Sequence, residues 1–472
     1  MRVNHLSLSH FRGFKELDID FSTTNLTVFI GTNGRGKSSI LDLIAIHLTK
    51  IIVNLNQLDR SFSSFSRNHG DVALREQDIK NDAEMTTSEI SILDDSDREN
   101  LFRESNYLLN TLLLARNASP RTEDYYPRTN GRFRNGFGEF CTHLYEKIKS
   151  NPFSSLPILS YYQANRTVHG EISNRDKSPR YSLPQLNTYE NAFVKQQNDF
   201  DEYFTWFRME EDKENESIRR EKNFDLRNPQ LEVVRLAVAQ FFSLMSGDKY
   251  RNLRIERSDN PPNFGLRHNK YPRSTSATFI IDKNNEDLSL DQLSDGEKSA
   301  LILICDIARR LAIANPIEKN GDFSTVLKNG NGVVLIDEID LHLHPLWQKE
   351  ILQALVNTFP SLQFIVTTHS PYVVTHLDLD DTQAQVYSIE ADKVVPIDSK
   401  GKDLSTASFE IFGVERRPKM YQNAIDDLFR EFEAEEPNLT VLDHKFLALK
   451  KLLGATDPEV ESAKIILEGL KL

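Results

Sequence analysis

The segment GTNGRGKS, Gly31–Ser38, fits the phosphate-loop pattern G-x-x-x-x-G-K-[ST]. Glycines at this spacing let backbone amides close around phosphate oxygens, and the N-terminus of the following helix favours the anion. In that pattern Lys37 reaches the β and γ phosphates and the Ser38 hydroxyl ligates Mg²⁺; Asn33, Gly34, Gly36 and Ser39 complete the expected nucleotide contacts. The expected ligand is ATP with Mg²⁺.

A second stretch supplies acids. VVLIDE, Val333–Glu338, is four apolar residues ending in an Asp-Glu pair. Asp337 at the end of a buried strand can hold Mg²⁺ through water, and Glu338 can orient or deprotonate an attacking water. The two halves lie about 300 residues apart, so something large is inserted between them. A third stretch, LSDGEKS (Leu293–Ser299), is a polar turn that opens into an apolar helical run. On its residues alone it reads equally well as an N-capped helix or as a second anion-binding helix N-terminus.

Those residues need elements to hold them. LTVFIG (Leu26–Gly31) is a buried-strand signal, and SSILDLIAIHLTKIIVNL after the loop has apolar residues at helical spacing. Residues 3–10 alternate as a strand, and LPILSYY (Leu156–Tyr162) is another. Residues 77–95 suggest short strands or a hairpin, and helical periodicity runs from Tyr189 to Met245. Strands resume near 252–257 and 276–282, and GVVLIDE and LQFIVTTHS are two buried strands around the helical HPLWQKEILQALVNTF. This alternation predicts an α/β fold with a largely parallel sheet.

LSDGEKS resembles the LSGGQ signature of ABC-type ATPases. The resemblance implies that Ser294, Gly296 and Glu297 contact the γ-phosphate held by the phosphate loop of a second subunit, hence a homodimer around ATP. It also implies a switch histidine at His369 in TTHS and a D-loop at Asp340. Gln163 in SYYQANR falls in the place of a Q-loop glutamine near Mg²⁺, and Arg12 in HFRGF in that of a nucleotide-side arginine. HLSLSHFRGFKELDIDF, DEIDLHLHPLWQ and THSP are similar to the RecF/SMC/OLD-like group, over roughly residues 1–50, 156–166 and 276–376.

The tail ASFEIFGVERRPKMYQNAIDDLFREFE and the stretch FTWFRMEEDKENESIRRE look like PtuA-type ATPases of Septu and retron antiphage defence systems. That resemblance implies a separate HNH nuclease partner (PtuB-like), and with a retron a reverse transcriptase and its RNA–DNA hybrid. The alternative is an OLD/RecF-like ATPase that itself cleaves or repairs DNA. Asp378 and Asp380 make an acidic pair after His369, but they lack a preceding glutamate strand and read as a solvated turn.

The implied architecture is an ABC-type head with a mixed/parallel central sheet, a helical insertion and a helical C-terminal tail. Its expected divisions are an N-terminal ATPase lobe over 1–165, an insertion over 166–275, a C-terminal lobe over 276–400 and a tail over 401–472. The net charge of −13 argues against a general nucleic-acid coat. Two segments are nonetheless basic with interleaved aromatics: Arg251–Arg273 has six Arg/Lys against two acids, and Arg116–Arg134 five against two. Either could track phosphates or be a solvated face. Cys141 and Cys305 have no metal-ligand spacing and read as reduced thiols; His342 and His344 read as structural. No apolar run approaches a membrane span, and a cytoplasmic protein is expected.

Overall fold

In the computed structural model the described residues are 1–21, 24–59, 73–93, 107–116, 121–123, 137–164, 182–193, 199–245, 247, 249–258, 276–317, 321–378, 383–390, 393–399, 401–415, 417–434 and 437–470. Most of both basic segments, and Asp380, lie outside them. The chain divides into two units, Met1–Lys400 and Gly401–Leu472.

The first unit opens with β1 (Arg2–Phe11), β2 (Phe14–Asp20), β3 (Leu26–Ile30) and helix α1 (Lys37–Leu58). β4 (Met85–Leu93), β5 (Tyr107–Ala115) and β6 (Arg121–Glu123) join β1 and β2 in an antiparallel sheet of order β2-β1-β4-β5-β6. Thus 77–95 is not a local hairpin: Glu76–Asp78 is one 3₁₀ turn, and β4 pairs with the distant β1 and β5. There follow α2 (Phe137–Ser150), β7 (Ile158–Tyr162), α3 (Asp199–Glu221) and α4 (Pro229–Met245). Next come β8 (Tyr250–Ser258), β9 (Ser276–Lys283) and β10 (Glu286–Ser289), a three-stranded antiparallel sheet. The unit closes with α5 (Asp295–Ala314), α6 (Ser324–Asn329), β11 (Gly332–Ile336), α7 (Pro345–Thr358), β12 (Leu362–Thr367), α8 (Pro371–Thr375), β13 (Ala384–Glu390) and β14 (Lys393–Pro396).

The central sheet has the order β14-β13-β3-β12-β11-β7. Five strands run parallel and only β14 is antiparallel. Every residue of β3, β7, β11 and β12 is buried, as required of strands covered on both faces. Because these strands are parallel and in register, with Ile336 opposite both Tyr162 and Val366, their carboxyl ends form one edge. The phosphate loop, Gln163, Asp337 and the segment from Thr368 all leave from that edge, where open α/β sheets place their ligands.

Helix α1 packs on β11 and β12 of the central sheet on one side. On the other, His47 reaches the antiparallel sheet: its Nδ1 lies 2.8 Å from Asn110 Oδ1 and its Nε2 3.0 Å from Ser88 Oγ. That double cover explains why α1 alone among the described helices is long and apolar enough to cross a membrane; it is mostly buried within the fold. The apolar run along 37–58 thus approaches a membrane span in length and composition, contrary to expectation.

Burial pushes the His47 imidazole from 6.5 down to about 4, so it is neutral in the folded protein. The unfolded chain takes up a proton below about pH 6.5 and the folded chain does not. Stability from this group is therefore complete above that pH and falls as pH drops toward 4, by up to about 3 kcal/mol. His47→Gln should flatten this slope, seen as a smaller change in the urea midpoint between neutral pH and about pH 5 than in the wild type.

The second unit contains α9 (Leu404–Glu410), α10 (Lys419–Phe432), α11 (Leu439–Leu453) and α12 (Pro458–Leu470). Ile425 and Leu428 of α10 pack with Leu442, Leu449, Val460, Ala463 and Leu467 in a core of its own. The apolar residues Ile425 and Leu428 of α10 thus form part of this core. Arg417 binds Asp457 through two hydrogen bonds of 2.8 and 3.1 Å.

Candidate active site

The loop between β3 and α1 turns at Gly36, whose φ of 95° is left-handed; a Cβ there would lie 2.6 Å from the Phe14 ring. Asn33, Gly34 and Ser38 are exposed on it, while Lys37 is buried. Lys37 Nζ donates to the Gly31 carbonyl (2.8 Å) and the Thr32 carbonyl (3.2 Å) and lies 3.5 Å from His369 Nδ1. Burial lowers the Lys37 pKa, and the carboxylates of Asp337, Glu338 and Asp340 oppose that shift. These three acids and Lys37 thus share one electrostatic neighbourhood with His369, whose pKa is lowered by burial and then by the Lys37 ammonium.

The acids are held by the neighbouring strands. The Asp337 amide donates to the Tyr162 carbonyl (2.8 Å), so Gln163, the next residue on β7's side, follows directly on the strand that carries Asp337's partner. Thr367 at the end of β12 donates its hydroxyl to Asp337 Oδ1 (2.5 Å) and accepts from the Glu338 amide (2.8 Å). Glu338 has a φ of 48°, a left-handed conformation that costs a non-glycine residue about 1–3 kcal/mol and persists where the surroundings fix it. Asp340 Oδ1 accepts from the Thr368 hydroxyl (2.6 Å) and the His369 amide (3.3 Å), tying the segment after β11 to the segment after β12.

Arg12, expected on the nucleotide, has its guanidinium between two carboxylates, Asp78 (2.8 Å) and Asp42 (2.7 Å). Asp42 lies on the loop helix α1, and Arg12 also reaches that helix at Ser39 Oγ, 3.3 Å away. Asp42 also accepts from the Tyr161 hydroxyl (3.0 Å), so these side chains brace the first turns of α1 against β1 and β7.

Ser294, Gly296 and Glu297 lie at the N-terminus of α5, and their contacts are with other groups than the Lys37 cluster. Ser294 caps α5 in a reciprocal box with Glu297. Gly296 abuts the segment after β11: a Cβ there would sit 2.7 Å from the His342 carbonyl oxygen. Further along α5, Asp306 accepts from Arg309 (2.6 and 2.9 Å), Arg310 (2.7 Å) and the Tyr162 hydroxyl (2.7 Å), a buried network joining α5 to the end of β7. Cys141 and Cys305 are buried free thiols, and His344 caps α7 through the Leu346 amide (3.3 Å).

A family profile described as "AAA domain, putative AbiEii toxin, Type IV TA system" matches residues 26–375. The chain belongs to this ATPase family. Among its relatives, "Retron Vc95 probable ATPase" of Vibrio cholerae is 31% identical over 415 residues, covering 79% of this chain and 71% of the relative. "Septu protein PtuA" of Bacillus thuringiensis is 28% identical over 207 residues, covering 41% of this chain and 50% of PtuA. Among solved structures, an SMC head bound to the C-winged helix domain of ScpA aligns over 84% of this chain and 98% of its own, with 18% identity and a TM-score of 0.40.

In this AAA-family ATPase the residue that motif reading missed is Thr367. It stands next to THS in the sequence, yet its two bonds reach back 29 and 30 residues. Thr367→Val removes both bonds at nearly constant shape. We expect ATP affinity close to wild type and turnover lower by about 10- to 100-fold, the scale of hydrogen bonds to a charged group. Fluorescent-nucleotide titration alongside steady-state phosphate release checks it; unchanged turnover would assign Thr367 a packing role only.

Proposed function

We propose that this ATPase binds two ATP molecules between two copies of itself and, within an antiphage defence complex of Septu or retron type, regulates a separate HNH nuclease. In this reading Lys37, Ser38, Ser39, Asn33, Gly34 and Gly36 hold the phosphates, and Arg12 braces that loop. Ser38, Gln163 and, through water, Asp337 are oxygen donors of the hard type that suits Mg²⁺, whose chemistry would be to neutralise phosphate charge. Glu338 orients and deprotonates the attacking water, and His369 meets the γ-phosphate. Ser294, Gly296 and, through its hold on Ser294, Glu297 serve the nucleotide of the opposite copy.

The single observation that carries the reading is the gathering of Lys37, Asp337, Glu338, Asp340 and His369 at one sheet edge. Support for the defence setting comes from the retron and Septu names of the relatives. The 276–400 and 1–165 segments would form the two ATPase lobes around an insertion over 166–275, with 401–472 as a tail, and the protein would work in the cytoplasm.

Purification from the native host with mass spectrometry and nucleic-acid sequencing tests the assembly. An HNH protein in the complex, with or without a reverse transcriptase and RNA–DNA hybrid, is the expected result. Metal-dependent cleavage of plasmid by this chain alone would overturn the division of labour and favour an OLD/RecF-like enzyme acting on DNA itself.

A further inference from the structure

An ordinary capping box needs the third helical residue to accept only from the N-cap amide. Glu297 does more. Its Oε2 accepts from the Ser294 amide (2.8 Å) and also from the Ser294 hydroxyl (2.6 Å). Its Oε1 accepts from the Tyr250 hydroxyl (2.5 Å) and the Lys283 ammonium (2.7 Å). Those two donors come from β8 and β9, the sheet inserted between the two halves of the nucleotide site. Lys283 also lies over the Tyr250 ring at 5.4 Å, and Tyr250 stacks on Phe242 of α4 at 4.1 Å.

This arrangement matters because a hydroxyl carries one proton. Ser294 can serve a phosphate only by donating that proton, and here it is donated to Glu297. The carboxylate is also an anion at the spot where, on the function proposed above, an anionic phosphate must arrive. Burial opposes ionisation, yet the Lys283 ammonium, the Ser294 hydroxyl and the Tyr250 hydroxyl together pull the Glu297 carboxyl down to about 2, so it is ionised at neutral pH. A countercharge is needed both to cancel that anion and to weaken its hold on the serine.

We infer that Lys283, assisted by Tyr250, is a positioning residue that neutralises Glu297 and so releases the Ser294 hydroxyl to the incoming γ-phosphate of the opposite copy. Lys283 does not touch that phosphate; it acts through Glu297. A bare glutamate would repel the nucleotide and keep the serine proton.

This inference rests on Ser294 acting on the second copy's nucleotide, and the experiment separates the two. In the full-length chain, Lys283→Met should leave melting temperature and ATP affinity near wild type, while ATP-dependent association and turnover fall by about 10- to 100-fold. Lys283→Arg should restore them. Lys283→Met/Glu297→Gln should also recover most of the loss, because the amide carries no charge to neutralise; a purely structural lysine would instead show its loss in melting temperature, with association and turnover of the folded protein unchanged. If Lys283→Met behaves as wild type, or if Glu297→Gln fails to rescue it, the inference is wrong. If Ser294→Arg also leaves association and turnover intact, the signature reading itself fails; if Ser294→Arg abolishes them, only the role of Lys283 is lost.

Discussion

Glu338→Gln should bind ATP as the wild type does and hydrolyse it about 10²–10⁴-fold more slowly in the steady state, the usual loss when a general base is removed. The geometry gives the reason. Glu338 follows Asp337 at the end of β11, its amide is fixed by Thr367, and its backbone is held in the left-handed region. The substitution keeps size and hydrogen-bonding capacity but removes the basic oxygen, so the fixed position is occupied by a group that cannot take a proton. Since binding rests on the phosphate loop, the effect should appear in turnover and not in affinity. The variant should also accumulate ATP-bound dimers, which light scattering would record. Undiminished phosphate release would remove Glu338 from the mechanism.

Ser294→Arg should abolish ATP-dependent dimerisation and reduce hydrolysis to the level of an isolated subunit, while ATP binding to each subunit persists. Ser294 caps a helix of 20 residues whose first turn already holds Asp295 and Glu297. Losing a cap costs about 0.5–2 kcal/mol of stability, too little to unfold a domain. On the function proposed above, an arginine there would act mainly as bulk in the path of a second subunit's phosphates. Size-exclusion chromatography with light scattering, with and without ATP, measures it. If Ser294→Arg still dimerises with ATP, LSDGEKS is a helix cap and the site is complete within one chain.

The phosphate loop, the Asp337–Glu338 pair and the strand–helix alternation were legible because each is written in neighbouring residues. A glycine spacing or a run of buried-strand residues carries its own local physics, and the fold has these motifs at strand ends as expected. The sequence puts His369 just after the strand that follows the Asp337 strand, and the structure adds its approach to Lys37. The segment from 77 to 95 was less legible: β4 alternates like any half-buried strand, and nothing local reveals that its partners are β1 and β5. Nothing along α1 marks His47 apart from its apolar neighbours, yet it ties α1 to the antiparallel sheet through Asn110 and Ser88.

By itself, the sequence determined which groups can do chemistry: an ammonium, hydroxyls and carboxylates at spacings suited to a nucleotide. Only the tertiary structure decided what each of those groups is bonded to before any ligand arrives. Thr367 bridging Asp337 and Glu338, two carboxylates flanking Arg12, and Lys283 with Tyr250 on Glu297 all join residues 14 to 66 positions apart. Pattern along a chain encodes burial and turn geometry, which are local. Charge neutralisation and hydrogen-bond satisfaction depend on distance in space, and that is fixed only when the sheets and helices pack.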